Sequence, residues 1–213
     1  MLQLRITGIT KMKDERICMS GYDQISNIYY RPILRDNYLT SSFLYQGNAK
    51  INLFSLVTFQ KLNEEINTSR PHQEDVYISS EVIDIQNDLK TYQEKKQFLY
   101  EIADKSIEEV FGDFIEIHNN SPVVLLGCGY RSLGTIIARE CHSYYNSNGD
   151  LRVDITDSKG YCLENIKCVA LYNNYFKEGL FQNIPIRISL TREWKKPGDQ
   201  QAFYWIQVSD IFP

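Results

Sequence analysis

The chain has no continuous apolar run of the roughly 18 residues that would suggest a transmembrane helix. Its opening M-L-Q-L-R-I-T alternates like a strand, instead of setting a basic head before an apolar stretch as a signal peptide does. The expectation is a cytoplasmic protein with no membrane partner. No C-x-x-C pair is present either, and the five cysteines (Cys18, Cys128, Cys141, Cys162, Cys168) are odd in number. They read as reduced, mostly buried small hydrophobes rather than a disulfide framework or a zinc site. Positive charge is short: 23 lysines and arginines face 27 acids, for a net charge of -4. Nothing global attracts a phosphate polymer, so a nucleic-acid role needs a locally basic face. Phosphate-loop spacing is missing as well. Gly127, Gly129 and Gly134 in G-C-G-Y-R-S-L-G match neither G-x-G-x-x-G nor a Walker pattern, and no Lys-Ser/Thr closes the stretch. A glycine-rich bend in a β structure explains them better, with Arg131 offered as a secondary anion contact.

What is present is aromatic and strand-like. The 213 residues are enough for one domain or two of about 100 residues each, and 15 tyrosines suit half-buried pleated surfaces. Leu2–Ile9 alternates, the polar run Lys11–Glu15 turns, and Ile17 and Met19 continue, so residues 2–22 read as a hairpin. Gly21 marks a bulge or a close backbone approach. Leu53–Leu62 is apolar on both faces and predicts a central strand covered on both sides. Thr91-x-x-Glu94 is a capping-box signature, and the apolar arc of Phe98, Leu99, Ile102, Ala103, Ile107, Val110 and Phe111 predicts one amphipathic helix of about five turns, ended by Gly112. Beyond it lie short apolar runs at Phe114–Ile117 and Val123–Leu126, and a clear hairpin, Leu151–Ile155 and Tyr161–Ile166, around the D-S-K-G turn. Val169–Phe176 reads as a short helix or a strand. A last hairpin joins Ile184–Leu190 to Phe203–Val208 through K-K-P-G-D, with Trp194 and Trp205 on its two arms.

The stretch around which the rest is organised is Arg16–Pro32. Pro32 forces Arg31 out of the helical region and removes a ladder donor, which places Arg31 at an edge or strand exit. There its fork of donors meets a phosphate or an internal acid such as Asp23 or Glu74. The loop between Glu64 and Val76 concentrates Arg70, His72, Glu74 and Asp75, a polar cluster that either does proton-transfer or metal chemistry or fixes its own shape and holds Arg31. No partner histidine stands near His72, and no metal or cofactor is expected.

The pattern of strands around a single helix predicts a mainly β fold: two small OB-like Greek-key barrels with a connecting amphipathic helix, divided as residues 1–90, 91–112 and 113–213. The series R-I-C-M-S-G-Y at Arg16–Tyr22, Y-R-P at Tyr30–Pro32, P-H-Q-E-D at Pro71–Asp75 and Y-W-I-Q-V-S-D-I at Tyr204–Ile211 resembles a bacterial family of dual OB-fold domain proteins. Its members usually carry a glycine before the motif arginine and a tryptophan shortly before the R-P pair; Glu15 and Tyr30 stand in those places here. The resemblance implies two OB barrels and a nucleic-acid or nucleotide-related role, including defence against mobile elements, without fixing an activity.

Three functions follow as expectations. The first is a non-enzymatic nucleic-acid-binding protein preferring single-stranded or irregular DNA or RNA, with Arg16, Arg31, Arg131, Lys195 and Lys196 on phosphates and Tyr22, Tyr29, Tyr30 and Trp194 as stacking rings. The second is a protein-interaction module of a larger bacterial assembly. The third is a metal-dependent enzyme acting on a nucleotide or phosphodiester through His72, Glu74 and Asp75. Oligomeric state is not encoded in any pattern of the sequence.

Overall fold

The computed structural model describes residues 1–64, 66, 70–171 and 177–213. The expected helix or strand at Val169–Phe176 therefore lies, from residue 172 on, outside the described residues, as do residues 65 and 67–69 of the predicted loop. The chain forms two compact units. The first is built from residues up to 66 together with 74–98 and 170–171; the second is built from 70–73, 99–169 and 177–213.

In the first unit the strands are β1 (Leu2–Lys11), β2 (Ile17–Asp23), β3 (Ile28–Leu34), the short pair β4 (Tyr45–Gln46) and β5 (Ala49–Lys50), β6 (Leu56–Lys61) and β7 (Asp75–Gln86). The expected β1–β2 hairpin is there, with a register shift between Ile6 and Gly8. Opposite it, a Cβ on Gly21 would lie 2.8 Å from the Leu4 Cβ, so Gly21 supplies a close backbone approach. The barrel closes in the order β1-β2-β3-β7-β6, antiparallel throughout except for the parallel β3–β7 seam. Leu4, Ile6, Met19, Val57, Phe59 and Ile78 fill it. The predicted central strand is shorter than expected, and only its Val57 and Phe59 face is fully buried. A closed barrel covers the inner face of a strand and leaves the outer one half-wet.

The connector departs from expectation. Its capping box forms: the Glu94 carboxylate accepts from the Thr91 backbone N–H at 2.7 Å, and the Glu94 N–H donates to the Thr91 hydroxyl at 3.2 Å. The single long helix, however, is two, α1 (Tyr92–Glu101) and α2 (Ile107–Phe111). A second box interrupts the run. The Ser106 side chain caps α2 by accepting from the Glu109 N–H, and the Glu109 carboxylate accepts from the Lys105 N–H at 2.6 Å. Between the helices Asp104 bridges in parallel to Ile136. Gly112 ends α2 as expected, with φ 78° and its N–H on Glu108 O.

The second unit contains β8 (Ile115–His118), β9 (Ser121–Val124), β10 (Leu133–Tyr145), β11 (Leu151–Asp157), β12 (Cys162–Cys168), β13 (Gly179–Leu190) and β14 (Tyr204–Ile211). Strands β10-β11-β12-β14-β13 form a second ring, since β12 and β14 pair in parallel, and the β8–β9 hairpin extends it beside β14. Ile155, Ile166, Ile186, Ile188 and Val208 are buried. The glycine-rich bend ends earlier than expected, because Gly134 lies within β10. A Cβ there would come within 2.5 Å of a Val110 methyl, so the glycine lets α2 approach the strand.

Both rings run first, second, third, fifth, fourth and back to first, with the third and fifth strands parallel. That is the OB-like Greek-key order, and α1 connects the two barrels. Among the described residues no helix is long and apolar enough to cross a membrane. The cysteines are all free, but only Cys141 and Cys168 are buried; Cys162 is exposed. Burial pushes the Cys141 thiol up to about 12.

Candidate functional site

In the first barrel the residues of the Arg16–Pro32 stretch do not form an open face. Tyr22 and Tyr29 are cross-strand partners on β2 and β3, with ring centroids 4.9 Å apart and edge-on, and Phe98 of α1 stands 6.4 Å from Tyr22. Tyr29 is 2% exposed. Tyr30 points the other way, onto the core. Of the two expectations for Arg31, a phosphate contact or an internal acid, the structure shows the internal acid. Arg31 is 4% exposed, its Nη1 donates to the Asp75 carboxylate at 3.1 Å, and its backbone N–H donates to Glu74 O. The acid bonded to it is Asp75, its register partner on β7, and the charge of Glu74 also acts on the guanidinium. Arg16 is half-exposed, with its guanidinium 3.9 Å over the Tyr38 ring and 3.9 Å from Asp14.

The expected polar cluster is divided. Glu74 and Asp75 belong to the first unit, and Arg70 and His72 to the second. The buried His72 ring meets Tyr204 edge-on at 5.1 Å, and the Tyr204 hydroxyl donates to Arg70 O. Arg131 is drawn to an acid too, donating to Asp104 at 2.7 Å. Burial raises the Asp104 carboxyl above its usual range, and Arg131 partly offsets this.

The second barrel keeps an open aromatic and cationic face. The loop from β13 to β14 carries Trp194, 49% exposed, with Lys195 exposed beside it. Trp194 and Trp205 pack across this hairpin at 6.0 Å, the Trp205 indole N–H donates to Trp194 O, and Lys196 Nζ lies 3.3 Å from the Trp205 ring centroid. Partial burial lowers the Lys196 pKa; Asp199 works against this, while the positive charges of Arg152 and Lys167 add to it. Those two cations were not singled out in the sequence. They are cross-strand partners on β11 and β12, and Tyr144 of β10 is paired with Arg152, so three strands align Tyr144, Arg152 and Lys167 in one row. Alternation in Leu151–Asp157 already put Arg152 on the outer side, but only the register reveals its neighbours.

Acids interleave with this row. Asp150 receives Arg152 at 3.2 Å and Lys167 at 3.6 Å, contacts that hold its carboxyl below the usual range. The Tyr144 hydroxyl donates to Asp154 at 3.1 Å, and the His142 ring stacks on Tyr144 at 4.8 Å. At the loop, Asp199 is bonded to His118 at 3.0 Å, and His118 lies against Phe203. The arrangement can stack a planar ring and meet an anion, and it is suited to recognition.

No protein-family model, curated protein or solved structure matches the chain. The class is therefore given by architecture: a protein of two closed, five-stranded OB-like β-barrels joined by a helix.

Proposed function

We propose that the second barrel binds single-stranded or irregularly paired nucleic acid, without catalysis, on the face made by β11, β12 and the β13–β14 loop. The observation that carries this is Trp194, half-exposed beside Lys195 and Lys196 on the loop joining the fourth and fifth strands of the ring, with Arg152 and Lys167 on its second and third strands. OB barrels use this face and this loop for oligonucleotides. A base stacks on Trp194, and the cations meet the backbone.

Interleaved acids leave stacking to supply much of the affinity. With two or three phosphates neutralised, log K falls with log salt at about -0.7 per phosphate. Tryptophan fluorescence reports the event, since Trp205 is 5% exposed and quenching by a base belongs to Trp194. Single-stranded DNA, single-stranded RNA and a duplex of equal length, titrated at two salt concentrations, should quench in favour of the single strands. Trp194→Ala should weaken binding about tenfold. Absence of binding at low salt removes the proposal.

The same face suits a protein partner, because Arg152 and Lys167 share Asp150 and leave it nearly balanced in charge beside aromatic anchors. A stoichiometric protein that co-purifies without nucleic acid would favour that reading.

A further inference from the structure

The first unit holds a cleft of about 250 Å3 where the chain enters β6, leaves β7 and begins α1. One wall is apolar, made by Leu53, Phe54 and Leu89. Phe54 is strained: a bulky, buried residue with φ 70°, a conformation that such residues rarely adopt and that persists only where surrounding contacts impose it. Here its N–H donates to Ile6 O at 2.7 Å, and its carbonyl accepts from Arg5 Nη1 at 3.1 Å.

The polar side of the cleft is ordered for donation. The Asn52 N–H donates to the Ser55 hydroxyl at 2.9 Å, and that hydroxyl donates to Asn87 Oδ1 at 2.6 Å. The relay occupies the acceptor end of the Asn87 amide and leaves its Nδ2 hydrogens for the cleft. Lys95 also lines the cleft, and its ammonium has no hydrogen-bond or ion-pair partner among the described residues. The acids close by are engaged elsewhere: Asp88 pairs with Arg5, and Glu94 accepts from the backbone of Lys90 and Thr91.

We propose that this cleft binds a small organic anion, a carboxylate or phosphate monoester on a compact apolar body. Lys95 and Asn87 Nδ2 meet the anionic oxygens, and Leu53, Leu89 and the Phe54 ring meet the body. The volume lies below the range typical of drug-sized ligands, about 300–1,000 Å3, so the body is about one ring in size. All these residues belong to the first unit, and the proposal stands apart from the oligonucleotide reading.

The full chain is titrated with benzoate, phenyl phosphate and the neutral benzamide, following backbone and side-chain amides by NMR. The expected result is saturable shifts of the Asn87 side-chain amide and of the Leu53 and Phe54 backbone amides with at least one anion, and none with benzamide. Binding of one anion and not the other names the head group. Lys95→Gln, on the helix surface, should weaken binding about tenfold, as loss of a charge-assisted hydrogen bond does. Asn87→Asp retains an acceptor for Ser55 but places a negative charge in the cleft, and should abolish binding; if it does not fold, Lys95→Gln decides. Absence of saturation with both anions at about 20 mM, at the weak end of specific binding, would overturn the proposal, as would an equal response to benzamide or unchanged affinity in Lys95→Gln.

Discussion

Asp210 lies on β14, 1% exposed, with one carboxylate oxygen on its neighbour's N–H and the other without a hydrogen-bond partner among the described residues. Burial pushes its carboxyl up to about 8. An acid whose folded pKa is raised favours folding at low pH: the native state keeps a proton that the unfolded chain releases from about pH 4 upward. Its contribution to stability should therefore fall between about pH 4 and pH 8, by up to about 1.4 kcal/mol per pH unit. Asp210→Asn should flatten that slope and melt higher than the parent at pH 8, as thermal unfolding at pH 5 and pH 8 would show. Arg31 and Asp75 make the opposite case, a buried pair, so Asp75→Asn should cost up to about 3–5 kcal/mol by removing the bonded carboxylate from a buried charge. Chemical denaturation measures that loss, and oligonucleotide affinity of the folded fraction should be unchanged. That Arg31 pairs internally was one of two readings of the sequence, and that Asp75 bonds it could not be read there, because only the parallel register sets the two opposite each other. Trp194, Lys195 and Lys196 were legible because they are contiguous. Arg152 and Lys167 were not, being distant in sequence and joined only by strand pairing.

At the level of elements, alternation and turn chemistry located the β1–β2 and β11–β12 hairpins and the last hairpin well, since each pairs neighbours in sequence. The connector misled because its apolar arc continues across the break: Leu99, Ile107, Val110 and Phe111 are all buried. The competing signal was Ser106-x-x-Glu109, a start signature inside an apparent helix. Ser106→Ala should cost about 1 kcal/mol, read in thermal or urea unfolding. Gly134 resembled part of a loop because glycine is poor in strands; its role depends on Val110, which no local pattern reveals. Gly134→Ala should destabilise by about 1–3 kcal/mol through crowding alone, since the loss needs no left-handed backbone. Val110→Ala in the same chain should recover part of it, which a double-mutant cycle would measure.

Across the whole molecule, two rings share one winding without sharing a sequence pattern, and they differ at their seams. Four register pairs, Arg31↔Asp75 to Leu34↔Ile78, join β3 to β7, whereas two, Lys167↔Gln207 and Cys168↔Val208, join β12 to β14. Amide exchange should therefore be faster along the second seam than along the first, a difference that hydrogen-exchange NMR reads directly. Both seams also impose an order on biosynthesis. The strand that shuts the first ring is in place once residue 86 has left the ribosome, but the second ring stays an open sheet until residues 204–211 arrive. Throughout that interval its unpaired border is exposed to other nascent chains, and a message cut short before the codon for Tyr204 would leave the hazard permanent.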